Sequence, residues 1–194
     1  MNSCNIDEEN KIIKLSRRKF LKKSALLAGS ALALPQTLFS STNTESQKVL
    51  TLYNIHSHET FYAPFFEKNY YKLSGLFEIN RAFIDYRTKE MIQVDVKLVN
   101  LLYDIKVRLG LDKQFNILSG YRSPKTNAWL RKRNKGVAKN SFHMYGKAVD
   151  LSVPGVSLRK LRDVAMSLKQ GGVGYYPKSG FVHIDVGPVR SWRG

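Results

Sequence analysis

Residues 141–153 read Ser-Phe-His-Met-Tyr-Gly-Lys-Ala-Val-Asp-Leu-Ser-Val, and the change of character inside this run decides the fold. Its first half is a loop in which Gly146 lets the chain turn. Its second half, Ala148 to Val153, is a β-branched, apolar run that predicts a strand. A His in the turn and an Asp on the following strand are seven residues apart, close enough for their side chains to reach one point.

Downstream, Ser157 is positioned to cap an amphipathic helix to about Lys169, followed by the turn Gly171-Gly172 and two short strands, Val173 to Tyr176 and Phe181 to Val186. Upstream, Phe115 to Ser119 predicts a strand, Ser123-Pro124 opens a helix to about Arg131, and Arg131 to Asn140 predicts a basic loop. The clearest helix runs from a cap at Asp95 to Leu109, with Val96, Val99, Leu102, Ile105 and Leu109 on one face and Gly110 ending it. Val49 to Ile55 predicts a strand, and the aromatic-rich segment Thr60 to Leu76 fits a hairpin or a loop. Strands and helices alternate without regular βαβ spacing, so the expected class is α+β, with helices packed on a small, mainly antiparallel sheet.

The chain has 194 residues, enough for one domain with a real core, and contains no internal repeat. Its net charge is +17, with 32 Lys and Arg against 15 Asp and Glu. The first 41 residues hold seven basic and three acidic residues, which leaves 25 basic against 12 acidic downstream, so the basicity belongs to the domain too. Such a charge favours an anionic partner: nucleic acid, lipid headgroups or cell-wall polymer. The single cysteine, Cys4, excludes an internal disulfide framework and a multi-cysteine metal site. Any metal would be held by His and carboxylate.

Residues 14–34, KLSRRKFLKKSALLAGSALAL, place a basic cluster before a short apolar stretch, the layout of a signal peptide. Ser24 to Leu34 is too short for a membrane-spanning helix, which needs about 20 residues, so no stable span is expected after its removal. Ser16-Arg17-Arg18-Lys19-Phe20-Leu21-Lys22 resembles the twin-arginine export signal along its whole length, which implies a bacterial protein exported already folded to the periplasm or beyond. The expected organisation is a leader and linker over 1–41, its boundary falling within 33–45, and a domain over 42–194. Export, and the lack of a nucleic-acid motif, argue against a nucleic-acid partner despite the basic run Arg131 to Lys135.

Four histidines follow the leader: His56, His58, His143 and His183. In Phe181-Val182-His183-Ile184-Asp185-Val186, His183 and Asp185 share one strand face with Phe181, while Val182, Ile184 and Val186 face the core. His143, Asp150 and His183 together supply two imidazoles and one carboxylate, the donor set of a catalytic zinc site with its fourth position open. The residues alone leave a second reading open, in which each His is simply a hydrogen-bonded residue of a small domain. His56 and His58 also share a face, but without a carboxylate motif, and read as structural or exposed.

From Ser119 to Trp192 the chain resembles the zinc peptidase superfamily of D-Ala-D-Ala carboxypeptidases and dipeptidases, and within it the murein endopeptidase K branch. The matching segments are SGYRS (119–123), KNSFHMYGKAVDLSV (139–153) and GGVGYYPKSGFVHIDVGPVRSW (171–192), in that order. The resemblance implies a Hedgehog/D-Ala-D-Ala-peptidase-like fold and one zinc ion on His143, Asp150 and His183. It implies hydrolysis of peptidoglycan peptide stems at their cross-links, with release of terminal D-alanine or a non-catalytic wall-binding module as alternatives. It also implies that Arg122 faces substrate, as oxyanion stabiliser or carboxylate binder. Ser141 and Tyr175 or Tyr176 are further candidates for substrate contact. The sequence departs from better-known relatives just before the last ligand, where Lys178, Ser179, Gly180, Phe181 and Val182 supply no Glu, Asp or His as base. Asp185 is the candidate either for that base or for the partner of a ligand His.

Overall fold

In β1, Lys48–Asn54, the buried residues are Leu50, Leu52 and Asn54, the period of two that a strand with one covered face requires. The computed structural model describes residues 47–110 and 112–194; the twin-arginine-like run, the 33–45 boundary and Cys4 lie outside them. β1 turns back through the hairpin holding His56 and His58 into β2, Glu59–Glu67, which pairs with the short β3, Tyr70–Tyr71. Lys68 and Asn69 both have positive φ, 49° and 64°, the left-handed pair that a two-residue hairpin turn demands.

Helix α1, Leu73–Ala82, follows directly. Gly75, Ile79 and Ala82 are its buried residues, and a Cβ on Gly75 would lie 2.1 Å from the Pro64 carbonyl oxygen, so the helix backbone rests on β2 itself. Leu73 and Phe77 are left exposed. Apolar side chains on both sides of α1 hide its period, which is why the aromatic-rich segment reads ambiguously as sequence.

Helix α2, Val96–Leu109, starts where expected: the Asp95 side chain accepts from the Lys97 N–H, and Gly110 ends it at φ 117°. It buries Val99, Leu102, Ile105 and Leu109 of the expected stripe, together with Leu98 and Leu101. A fully buried Leu contributes about 1.5–3 kcal/mol, so Leu102→Ala is expected to cost about 2–5 kcal/mol, measurable by denaturant unfolding.

The remaining elements are β4, Phe115–Ser119; α3, Pro124–Arg133; a 3₁₀ turn, Phe142–Tyr145; β5, Ala148–Ser152; α4, Leu158–Ser167; β6, Gly172–Tyr176; β7, Phe181–Asp185; and β8, Arg190–Arg193. Ser123 caps α3 and Ser157 caps α4. The eight strands form one sheet in the order β3-β2-β1-β4-β5-β7-β6-β8. Five of its pairings are antiparallel, while β1–β4 and β6–β8 are parallel. The class is α+β as expected, with a sheet larger than the sequence suggested because β3 and β8 are too short to show a pattern.

Helices α1, α2 and α4 cover one face. Leu50, Leu52, Ile117, Val149, Leu151, Val182 and Ile184 meet them there in a continuous core. Alternation therefore sends Asp150 of β5 and His183 of β7 to the other face, where the antiparallel register sets them directly opposite one another. None of the helices among the described residues is long and apolar enough to cross a membrane.

Candidate metal centre

His143 enters this face from the 3₁₀ turn. Ser141 caps that turn, its hydroxyl accepting from the His143 N–H at 3.4 Å, and Gly146 closes it with φ 63° in a place where a Cβ would meet the Gln93 carbonyl oxygen at 2.8 Å. His143 is buried, and its Nδ1 lies 2.7 Å from the Gly120 carbonyl oxygen. A carbonyl only accepts, so Nδ1 carries the proton and Nε2 presents a lone pair.

His183 is oriented the other way round. Its Nε2 donates to Asp185 Oδ2 at 3.0 Å, which turns Nδ1 towards Asp150 Oδ1 at 2.8 Å and His143 Nε2 at 3.2 Å. The third side of the triangle, His143 Nε2 to Asp150 Oδ1, is 3.3 Å. Three potential ligand atoms thus converge on one point. A tetrahedral centre with metal–ligand bonds of about 2.0–2.1 Å spaces its ligands about 3.3 Å apart, so the residues fit one small divalent cation to within a few tenths of an ångström. Two imidazoles and a carboxylate, with no thiolate, suit a divalent transition-metal ion.

Each member is held by an outer partner. Arg122 pairs through Nη2 with Asp150 Oδ2 and donates through Nε to Ser119 Oγ at 2.8 Å; Nη1 has no acceptor among the described residues. Asp185 is fully buried and saturated: besides His183 it accepts from Arg190 Nη2 at 2.7 Å and Nη1 at 3.1 Å, and from the N–H groups of Gly187 at 2.8 Å and Gly172 at 3.2 Å. These contacts fix ring orientation and tautomer, as outer partners of metal-bound imidazoles do.

The charges respond accordingly. Burial, reinforced by the Arg122 charge and partly offset by Asp150, lowers the pKa of His143 and keeps it neutral. Burial would raise Asp150, but His143 and His183 outweigh it and hold the carboxyl far below the usual range. Asp185 is likewise held low, its burial outweighed by His183, Arg190 and the Gly187 N–H. His183 is raised, because its bonds to Asp150 and Asp185 outweigh the burial that would lower it. A proton between two carboxylates and a bound cation are alternatives for that position.

The other candidates separate. Tyr175 pairs with Val182 in the ladder, packs against the core and lies under Arg162 of α4 at 4.9 Å, so it belongs to the helix-covered face and does not line the site. The strand alternation reverses the choice between neighbours: Tyr176 shares the face of His183, stacked on Phe181 at 4.6 Å and accepting from Trp192 Nε1 at 2.8 Å. Trp192 sits 5.2 Å from the His183 ring across Gly174, where a Cβ would collide with it at 2.6 Å. Ser141 serves as the cap described above. His56 donates through Nε2 to the Leu118 carbonyl at 3.0 Å, and His58 meets Tyr53 Oη at 3.1 Å, so both are held outside the trio. Sequence reading missed Arg190, Trp192 and the Gly120 carbonyl. The first two lie in a four-residue strand without a pattern, and a backbone acceptor leaves no trace in side-chain chemistry.

A His–Asp–His triangle, two members buried and His183 partly so, is the protein part expected of a mononuclear metal hydrolase centre. Over residues 42–192 the chain matches the model of the family described as peptidoglycan L,D-endopeptidase MepK. It belongs to that family, a branch of the D-Ala-D-Ala peptidase-like metallopeptidases. It is 42% identical over 177 residues to peptidoglycan L,D-endopeptidase MepK of Escherichia coli K12, covering 91% of this chain and 97% of the relative. It is also 37% identical over 180 residues to the probable peptidoglycan L,D-endopeptidase MepK of Haemophilus influenzae, covering 92% and 96%.

Proposed function

We infer that this chain is a metal-dependent endopeptidase of the cell envelope that hydrolyses peptidoglycan cross-links, at the L,D bond for which its relatives are named. The observation that carries the reading is the triangle of His143 Nε2, Asp150 Oδ1 and His183 Nδ1, each atom aimed by a hydrogen bond from behind. Its metal is zinc, one ion per chain, held by these three residues. Zinc supplies Lewis acidity, lowering the pKa of water towards neutrality and polarising the scissile carbonyl.

The chain's own groups then divide the work. Gly120 and Asp185 hold the two imidazoles, and Arg122 neutralises the far oxygen of Asp150 while its free Nη1 is the donor for a developing oxyanion or a substrate carboxylate. Asp185 acts through His183 as a positioning residue, because every acceptor site on its carboxylate is already engaged. Asp185→Asn is accordingly expected to weaken zinc binding about 10- to 100-fold, with excess zinc restoring most of kcat. A base at Asp185 would give the opposite pattern, unchanged zinc affinity and a kcat that excess metal does not rescue. Tyr176, Phe181 and Trp192 form the wall beside His183.

Residues 1–41 are an export leader with its linker, of twin-arginine type, and 42–194 the peptidase domain; this rests on the Ser16–Lys22 run and the apolar stretch behind it. Replacing Arg17 and Arg18 together by Lys should leave the uncleaved precursor in the cytoplasm, read by fractionation. Substrate preference is decided by incubating the mature chain with stem-peptide dimers cross-linked through an L,D or a D,D bond and weighing the products. Loss of the L,D dimer that a chelator stops and zinc restores supports the reading. Release of D-alanine alone would replace it with a carboxypeptidase, and bound metal without product would replace it with a wall-binding module.

A further inference from the structure

Beside the metal centre, the tight turn Asp85–Glu90 projects Arg87 into solvent. Asp85 builds this turn from within: it is buried, its Oδ1 accepts from the Arg87 N–H at 2.9 Å and its Oδ2 from the Ser123 N–H at 2.8 Å. The backbone closes over it, with Asp85 N to Glu90 O at 3.0 Å and Lys89 N to Asp85 O at 2.7 Å. The position of Arg87 is therefore fixed through the residue next to Arg122.

The guanidinium of Arg87 lies 4.2 Å from the centre of the Tyr86 ring and 4.8 Å from that of Trp129, while Tyr86 itself stacks on His56 at 3.7 Å. Arg133 approaches the same Trp129 ring at 3.9 Å. Two guanidinium groups thus converge on one half-exposed indole. Neither has an acidic partner among the described residues, and the Arg87 guanidinium donates no hydrogen bond to any of them. Stacking holds the fork flat and limits its rotamers while leaving its N–H edge free, the pre-organised form of a carboxylate receptor. Bringing two like charges together is unfavourable until an anion arrives, and the carboxylate of Asp85, in the same turn, is turned inward and occupied.

Its place indicates the ligand. His56, Tyr86, Arg87, Ser119, Gly120 and Arg122 line a single depression, so the stack shares a wall with the residues that hold His143 and Asp150. We propose that Arg87, fixed between Tyr86 and Trp129 and supported by Arg133, is a substrate subsite that takes a free carboxylate of the acidic cross-linked peptide. This rests on the peptidase reading above and deepens it: a cross-link binds with its reacting bond at the metal and an uncleaved acidic end at Arg87.

The test compares two dimers, one with free stem carboxylates and one with the same carboxylates amidated, using the zinc-loaded mature enzyme. Arg87→Ala is expected to lower kcat/KM about tenfold on the free-acid dimer, most of it in KM, and by no more than about twofold on the amidated one. Trp129→Ala, which keeps the charge but releases the fork, should produce the same selective loss at about threefold. Equal losses on both dimers, or none on either, would overturn the subsite while leaving the peptidase intact. Wild-type enzyme that cleaves neither dimer would instead overturn the peptidase reading, and the subsite with it.

Discussion

Replacing His183 by Ala is expected to abolish both zinc retention and hydrolysis. The substitution removes one corner of a triangle whose sides are 2.8, 3.2 and 3.3 Å, leaving two of its three donors, His143 and Asp150. It also separates Asp185 from the centre it orients, so an outer contact is lost together with the ligand. Loss of an outer partner alone costs about 10- to 100-fold in metal affinity, and removing the ligand itself should exceed that. Elemental analysis of the purified mature variant should then find well under one zinc per chain, and product masses should show the cross-linked substrate intact. The fold should survive, because Val182 and Ile184 keep β7 in the core and Asp150 keeps Arg122. A variant that holds stoichiometric zinc with wild-type affinity would show that His183 is not a ligand.

Two of the trio were legible by position as well as chemistry, while the grouping of all three into one metal site rested on the family resemblance, because the residues alone left each His open as a hydrogen-bonded side chain. His183 stands between Val182 and Ile184, and Asp150 between Val149 and Leu151; strand alternation with apolar neighbours buried dictates that both face away from the core. Helix α2 was legible for a similar reason, a cap, a stripe and a terminal glycine that agree with one another. What stayed hidden depends on pairing at a distance. The choice between Tyr175 and Tyr176 turns on the ladder in which Gly174 faces His183, and that register cannot be read from the segment alone. The role of Asp185 turns on Arg190, five residues later, folding back to occupy its oxygens. Helix α1 escaped because Leu73 and Phe77 lie exposed and blur its period.

Gly120→Ala is the second large effect, and it acts without touching any ligand. Gly120 sits where β4 leaves the sheet, pressed against the chain at Phe83; an added Cβ would lie 2.6 Å from the Phe83 Cα and 2.7 Å from its Cβ and its carbonyl oxygen. Those are backbone-anchored atoms of a buried residue, and the same carbonyl accepts the Tyr121 N–H at 2.7 Å, so neither side can give way by rotating a side chain. The two segments must part, at a cost of about 3 kcal/mol, the upper part of the range for overpacking, which lowers Tm by roughly 6–12 °C in a domain of this size. Parting them also moves the Gly120 carbonyl that fixes the His143 tautomer, so zinc affinity should fall at least about tenfold. Gly155→Ala separates this close approach from a general intolerance of glycine replacement. Gly155 has φ 74° but open space around its missing Cβ, so only the left-handed backbone is strained, at about 1–2 kcal/mol, and zinc affinity should be unchanged. Calorimetric melting and competitive zinc titration of the two variants side by side decide the matter: equal losses of stability, or an unaltered zinc affinity in Gly120→Ala, would mean that the contact with Phe83 does not position the metal centre.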